Sequence, residues 1–106
     1  MGVIAIVGYR PKSGKESELR ELVRTHVDVL RKQGLATDRQ SIIMRAKDGT
    51  IVEVFEWVAG EAIKSAHSND EVNRMWAEYA AVCDYVPVAD LPETSAMFSE
   101  FTSLDL

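Results

Sequence analysis

Glu53 and His67 are the side chains best placed to move a proton, and both lie in one stretch, residues 50–69 (TIVEVFEWVAGEAIKSAHSN). A histidine titrates near neutrality when unperturbed, so His67 could take a proton from a substrate or bind one of its oxygens. It closes a short helix, where a side chain can point into a cavity. The plainer alternative is that it caps the helix or bonds a carbonyl. Glu53 sits in a β-branched strand, and alternation puts Ile51, Phe55 and Trp57 on its face. A carboxylate in that company must be paired, neutralised or close to water. Lining a cavity it could act as a general base; otherwise it would pair with an arginine of the same chain or of a partner subunit.

Phe55, Trp57, Trp76 and Tyr79 could wall a flat substrate, which makes these four the candidate substrate-binding residues. Trp76 and Tyr79 also fall on a helical apolar stripe, whose default role is core packing. His26 occupies the stripe of the first helix and reads as a satisfied buried histidine, although it could pair with a pocket acid. Tyr9 and Tyr85 could donate phenolic hydrogen bonds, but no spacing ties them to a ligand. Cys83 is the single cysteine and has no base or cation beside it in sequence, so a nucleophilic role is not expected. No Gly-rich phosphate loop, paired-histidine motif or serine elbow occurs. Neither a metal nor a cofactor is expected.

These residues need elements to position them. Residues 3–10 are apolar at both parities and read as a buried strand. Pro11-Lys-Ser-Gly is a turn, and Ser13 with Glu16 has the spacing of a capping box. Leu19, Leu22, Val23, His26, Val27 and Leu30 form one helical stripe, with a Glu16–Arg20 pair on the opposite face and Gly34 as a stop. Residues 41–46 and 51–58 are strands around an Asp48-Gly49 hairpin signal. A two-residue turn there sets Met44 opposite Glu53, Ile42 opposite Phe55 and Ala46 opposite Ile51. After the short helix at 61–67, Ser68 with Glu71 suggests a second capping box. The stripe Val72, Met75, Trp76, Tyr79, Ala80 and Cys83 predicts the last helix. Residues 96–102 read as the closing strand.

The order β-α-β-β-α-β predicts an α+β, ferredoxin-like domain spanning residues 1–106, with an antiparallel sheet and both helices on one face. Since both faces of the sheet are largely apolar, one remains without cover. A second copy packed sheet to sheet would provide it, so a homodimer is expected. At 106 residues the chain has room for one core. Its formal net charge of −5 repels nucleic acid and anionic membranes, so neither is an expected partner. The first apolar run, residues 3–7, is too short for a signal-peptide core, and no segment approaches the ~20 apolar residues of a membrane span. A cytoplasmic protein is the simplest reading.

The element order, together with the run from Val54 through Trp57, Glu61-Ala62 and His67-Ser68, resembles the antibiotic-biosynthesis monooxygenase group of dimeric α+β barrel proteins. The resemblance implies two ferredoxin-like sheets paired into a barrel, each subunit holding a cavity between sheet and helices. It also implies reactions such as cofactor-free oxygenation of aromatic quinols. The haem-degrading branch of that group carries an asparagine on the first strand and a Trp–His pair ten residues apart. Here the first strand has no asparagine, and the residue ten after His67 is Ala77. Two expectations follow. One is a cofactor-independent oxygenase or isomerase with His67 handling the proton, Glu53 orienting it or acting as base, and Trp57 as wall. The other is a ligand-binding or structural dimer without turnover.

Overall fold

A first strand with apolar residues at both parities calls for cover on both faces, but the chain supplies it fully on one only: the expected buried strand keeps Ile4 and Ile6 about half exposed on its outer side. In the computed structural model, which describes residues 2–106, β1 (Val3–Pro11) lies inside a five-stranded antiparallel sheet. Its neighbours are β3 (Ile51–Trp57) and β4 (Cys83–Val86). Beyond β3 come β2 (Ile42–Arg45) and the two-residue β5 (Thr102–Ser103), giving the order β4-β1-β3-β2-β5. Three helices complete the domain: α1 (Glu16–Lys32), α2 (Gly60–His67) and α3 (Asp70–Val82). This is the expected α+β, ferredoxin-like arrangement. None of the described helices is long and apolar enough to cross a membrane.

The stripe read from the sequence does bury α1, through Leu19, Val23, His26, Val27 and Leu30. Gly34, at φ +73°, ends the helix as its spacing suggests. Leu35 N–H reaches the Leu30 carbonyl and Gly34 N–H the Arg31 carbonyl, the paired bonds of a Schellman turn. Neither capping box forms. Lys15 precedes α1 with no side-chain cap, and Asn69 caps α3 by accepting from Val72 N–H at 3.1 Å. The Glu16–Arg20 pair is also absent; i,i+3 pairs form instead, Arg31–Asp28 within α1 and Lys15–Glu18 across its start.

The hairpin departs from expectation in a way that matters. Ala46 N–H bonds the Thr50 carbonyl, so Lys47-Asp48-Gly49 make a three-residue loop with Gly49 at φ +93°. Asp48 also accepts from Thr50 N–H, which favours this turn over the two-residue one. The extra residue slips β2 by one. Ile43 faces Glu53, Met44 faces Val52 and Arg45 faces Ile51. Because side chains alternate, Ile43 and Arg45 move to the helix side, and Ile42 and Met44 to the other. The C-terminal part also differs from the expected order. The last helix stops at Val82, Cys83 opens β4, and β4 takes the closing place assigned to residues 96–102. Val88–Asp90 and Pro92–Ser95 form 3₁₀ turns, and of the strand expected at 96–102 only Thr102 belongs to a strand, opening the two-residue β5.

Helices cover the face of Val7, Tyr9, Ile51, Glu53, Phe55 and Trp57, and build the main core there with Leu19, Val23, Leu30, Val72 and Tyr79. On the outer face Leu91, Val88 and Phe101 fold back over Ala46, Val52 and Val86. Gly8 belongs to this outer face, opposite Val86. A Cβ at position 8 would stand 2.6 Å from the Val86 carbonyl oxygen, and backbone cannot swing aside as a side chain can. Gly8→Ala should therefore lower stability by about 1–3 kcal/mol. An unchanged denaturation midpoint would show that β1 and β4 do not approach so closely.

Candidate functional site

The central feature of the inner face is a buried carboxylate. Glu53 is 0% exposed, and its strand places it between β1 and β2, beneath α1. Two donors meet its Oε1. The Tyr9 hydroxyl donates at 2.8 Å, and His26 Nδ1 lies 2.7 Å away. Among the described residues no arginine lies within ion-pair distance of it, so a tyrosine and a histidine take the place of the arginine that was one of its expected partners. A carboxylate only accepts, which assigns the histidine proton to Nδ1. His26 Nε2 makes no hydrogen bond with the described residues. Since the ring lines a cavity, this nitrogen is the polar atom it can offer there.

That cavity, of about 380 Å³, lies between the sheet and the helices. Ala5, Val7 and Tyr9 of β1 and Phe55 and Trp57 of β3 form its floor, because strand alternation points all of them inward. His26 enters from α1, Ile63 and His67 from α2, Trp76 from α3 and Tyr85 from β4. The imidazole of His26 is gripped by aromatic rings, edge-on to Phe55 at 5.1 Å and to Tyr79 at 5.5 Å. Tyr79 in turn stacks on Tyr9 at 4.8 Å. Rings in these arrangements hold the histidine at one angle as well as burying area.

The sequence candidates separate accordingly. Phe55, Trp57 and Trp76 line the cavity, and so does His67, an exposed residue packed edge-on to Trp76 at 5.1 Å. Tyr79 does not line it; it is fully buried behind Tyr9 and His26. Glu53 does not line it either, and touches it only through those two residues. Sequence reasoning gave Tyr9, Tyr85 and Ile63 no place in a pocket. Tyr9 could have been found, since it shares a parity with Val7 and Ala5. The bond from Tyr9 to Glu53, across 44 positions, left no sequence signal, whereas a pairing of His26 with a pocket acid was an alternative its place on the stripe allowed.

Burial has electrostatic consequences. It is the largest cause raising the Tyr9 and Tyr79 pKa values well above that of a free phenol, and the nearby Glu53 charge adds to both. Tyr85, about half exposed, is pushed up to about 12, again chiefly by burial. All three phenols stay neutral near neutral pH. The Cys83 thiol is pushed up to about 11 by burial and then by the Asp84 charge, and it donates to the Tyr79 carbonyl. It is a packing residue. No cluster of three or more His, Cys, Asp or Glu among the described residues is arranged to hold a metal ion.

Comparison with known proteins finds no matching family model, no matching curated protein and no matching solved structure. The site's own geometry carries its interpretation.

The Tyr79 hydroxyl is buried without a partner among the described residues. Tyr79→Phe removes that unsatisfied group and should leave stability at neutral pH within about 1 kcal/mol of the parent, or raise it. The alkaline limb is diagnostic. A raised pKa means that the folded state keeps a proton the unfolded state releases. Stability is then full below the free phenol value of about 10 and falls as pH rises beyond it. Denaturation midpoints from pH 8 to 11 should decline, and less steeply in Tyr79→Phe. Identical slopes would mean Tyr79 ionises freely in the fold.

Proposed function

We propose that the chain binds a small hydroxylated aromatic or quinol metabolite in the inner cavity and deprotonates it with His26. The observation that carries this reading is the Glu53 carboxylate holding His26 Nδ1 at 2.7 Å while the ring lines an aromatic cavity of about 380 Å³. A carboxylate bound at one imidazole nitrogen fixes the tautomer and leaves the lone pair of the other nitrogen to accept a proton from a ligand in the cavity. The proton handler is therefore His26, and Glu53 is its orienter. His67, at the mouth, takes the lesser role of binding a substrate oxygen. Tyr85 is a neutral donor for the anion that forms.

The reaction that fits this cavity is cofactor-independent oxygenation, in keeping with the resemblance to antibiotic-biosynthesis monooxygenases. The base removes a proton, and the electron-rich anion reduces dioxygen directly to a bound peroxide. Loss of water from the peroxide leaves a carbonyl: R₂CH₂ + O₂ gives R₂C=O + H₂O. The substrate supplies all the electrons. An apolar cavity keeps bulk water from quenching the anion.

Titration with a panel of hydroquinones and anthrone-type compounds should quench the fluorescence of Trp57 and Trp76, and oxygen uptake should follow for some of them. His26→Gln should still bind and lose ~10²-fold or more in turnover. Binding without oxygen uptake by any compound would favour a carrier or sensor. An undiminished rate in His26→Gln would remove that residue from the mechanism.

We further propose that the protein works as a homodimer, joined through the outer sheet face. The C-terminal segment covers only part of this face. Ile6, Val54 and Ile42 stand in one row across β1, β3 and β2, and Ile4, Ile6 and Ile42 are 51–60% exposed. An apolar row in the middle of a sheet has more to gain from a second sheet than from water. Sedimentation should show a dimer at micromolar concentration, and Ile6→Glu should shift it to monomer. A parent protein that sediments as a monomer would defeat the idea.

A further inference from the structure

Arginines on this protein are paired with few exceptions. Of the seven, five have a carboxylate in contact: Arg10 with Asp48, Arg24 with Glu21, Arg31 with Asp28, Arg39 with Glu56 and Arg74 with Glu71. Arg20 and Arg45 have none among the described residues. They stand on different elements, yet both line the same cleft of about 510 Å³. The cleft forms where β1 runs out at Arg10 and Pro11, beside the β2–β3 loop and the first turns of α1.

Its charge is unusual for the chain. Three arginines, Arg10, Arg20 and Arg45, face two carboxylates, Glu16 and Asp48, in a protein of net charge −5. Asp48 is already engaged by Thr50 and by Arg10, and these contacts, Thr50 first, hold its carboxyl below the usual range. Glu16 does not reach Arg20, although it lies one turn away. α1 begins at this cleft without a side-chain cap, so the dipole of a 17-residue helix adds positive potential there. Two open guanidinium forks, ten N–H donors in all by their chemistry, are a match for a tetrahedral oxyanion.

We infer that the cleft formed by Arg20, Arg45 and Arg10 binds a phosphate group, free or carried on a small molecule. The negative field of the whole chain disfavours a polyanion such as nucleic acid, whereas a compact anion meets only the local charge. The cleft's volume exceeds that of the bare ion, which leaves space for an ester group. This site lies outside the inner cavity, shares none of its lining residues and does not depend on the proton chemistry proposed there.

The test uses the full chain, with inorganic phosphate and phenyl phosphate as probes and chloride at matched ionic strength as control. Amide resonances of Gly49, Ile51 and residues 16–20 should shift saturably with phosphate and not with chloride. Arg20→Gln and Arg45→Gln should each weaken binding at least tenfold, while Arg74→Gln, an exposed arginine elsewhere, should not. Tighter binding of phenyl phosphate than of phosphate identifies a phosphorylated small molecule as the ligand; equal affinity identifies the free ion. Absence of a saturable shift with either probe in the millimolar range would overturn the inference. So would equal binding by the parent and both cleft variants.

Discussion

Taking the carboxylate of Glu53 out of water is costly, and the fold offsets that cost with donors from two other elements. A buried charge without partners is penalised by several kcal/mol, so the contacts from Tyr9 and His26 are conditions for this packing. They bind the two central strands to α1. They also fix the rotation of α1 about its axis, since only one face of that helix can present His26 to Oε1. Tyr79 and Phe55 then close around the imidazole. The cavity takes its shape from this cluster: its base is His26 and Tyr9, each held at its polar atom and free only along its other edge.

Division of labour between the two sheet faces follows from the same architecture. Helices α1 and α3 cover the inner face, where aromatic and charged groups are gathered. On the outer face, β2 and β3 present Met44 and Val52 to the returning C-terminal segment, and Leu91 seals that smaller core. The segment ends its cover short of Ile4, Ile6 and Ile42. It also leaves Phe98 79% exposed, a large apolar side chain on the segment that folds over the same face. Gly8 marks the place where β4 comes close enough that no side chain fits between. The protein therefore has one face specialised for a cavity and another specialised for packing, with apolar surface left over on the second.

Local pattern made much of this legible. The α1 stripe, its glycine stop, the inward parity of β3 and the element order all follow from side chains recurring at 3.6 or 2.0 residues, and the structure agrees with them; β1, read as buried on both sides, instead leaves Ile4 and Ile6 exposed. Inward placement of Glu53, Phe55 and Trp57 was readable for the same reason. Turn chemistry was less so. Asp48-Gly49 fits a two-residue or a three-residue loop, and one residue of difference moved Ile42, Ile43, Met44 and Arg45 to opposite faces. The strand predicted at 96–102 shows the limit of composition alone, because Cys83–Val86 took that place by continuing directly from α3.

By itself the sequence established an α+β chain of ferredoxin-like order, an inward-facing acid on its third strand and a histidine on the buried stripe of its first helix. Those are properties of short windows, where periodicity alone decides which way a side chain points. Tertiary structure decided that this acid and this histidine meet, that Tyr9 joins them, and that His67 and Trp76 stand at the mouth while Tyr79 stays behind. Hydrogen bonds between residues 27 and 44 positions apart depend on how helix and sheet dock, and docking is a global compromise among packing, charge burial and strand register.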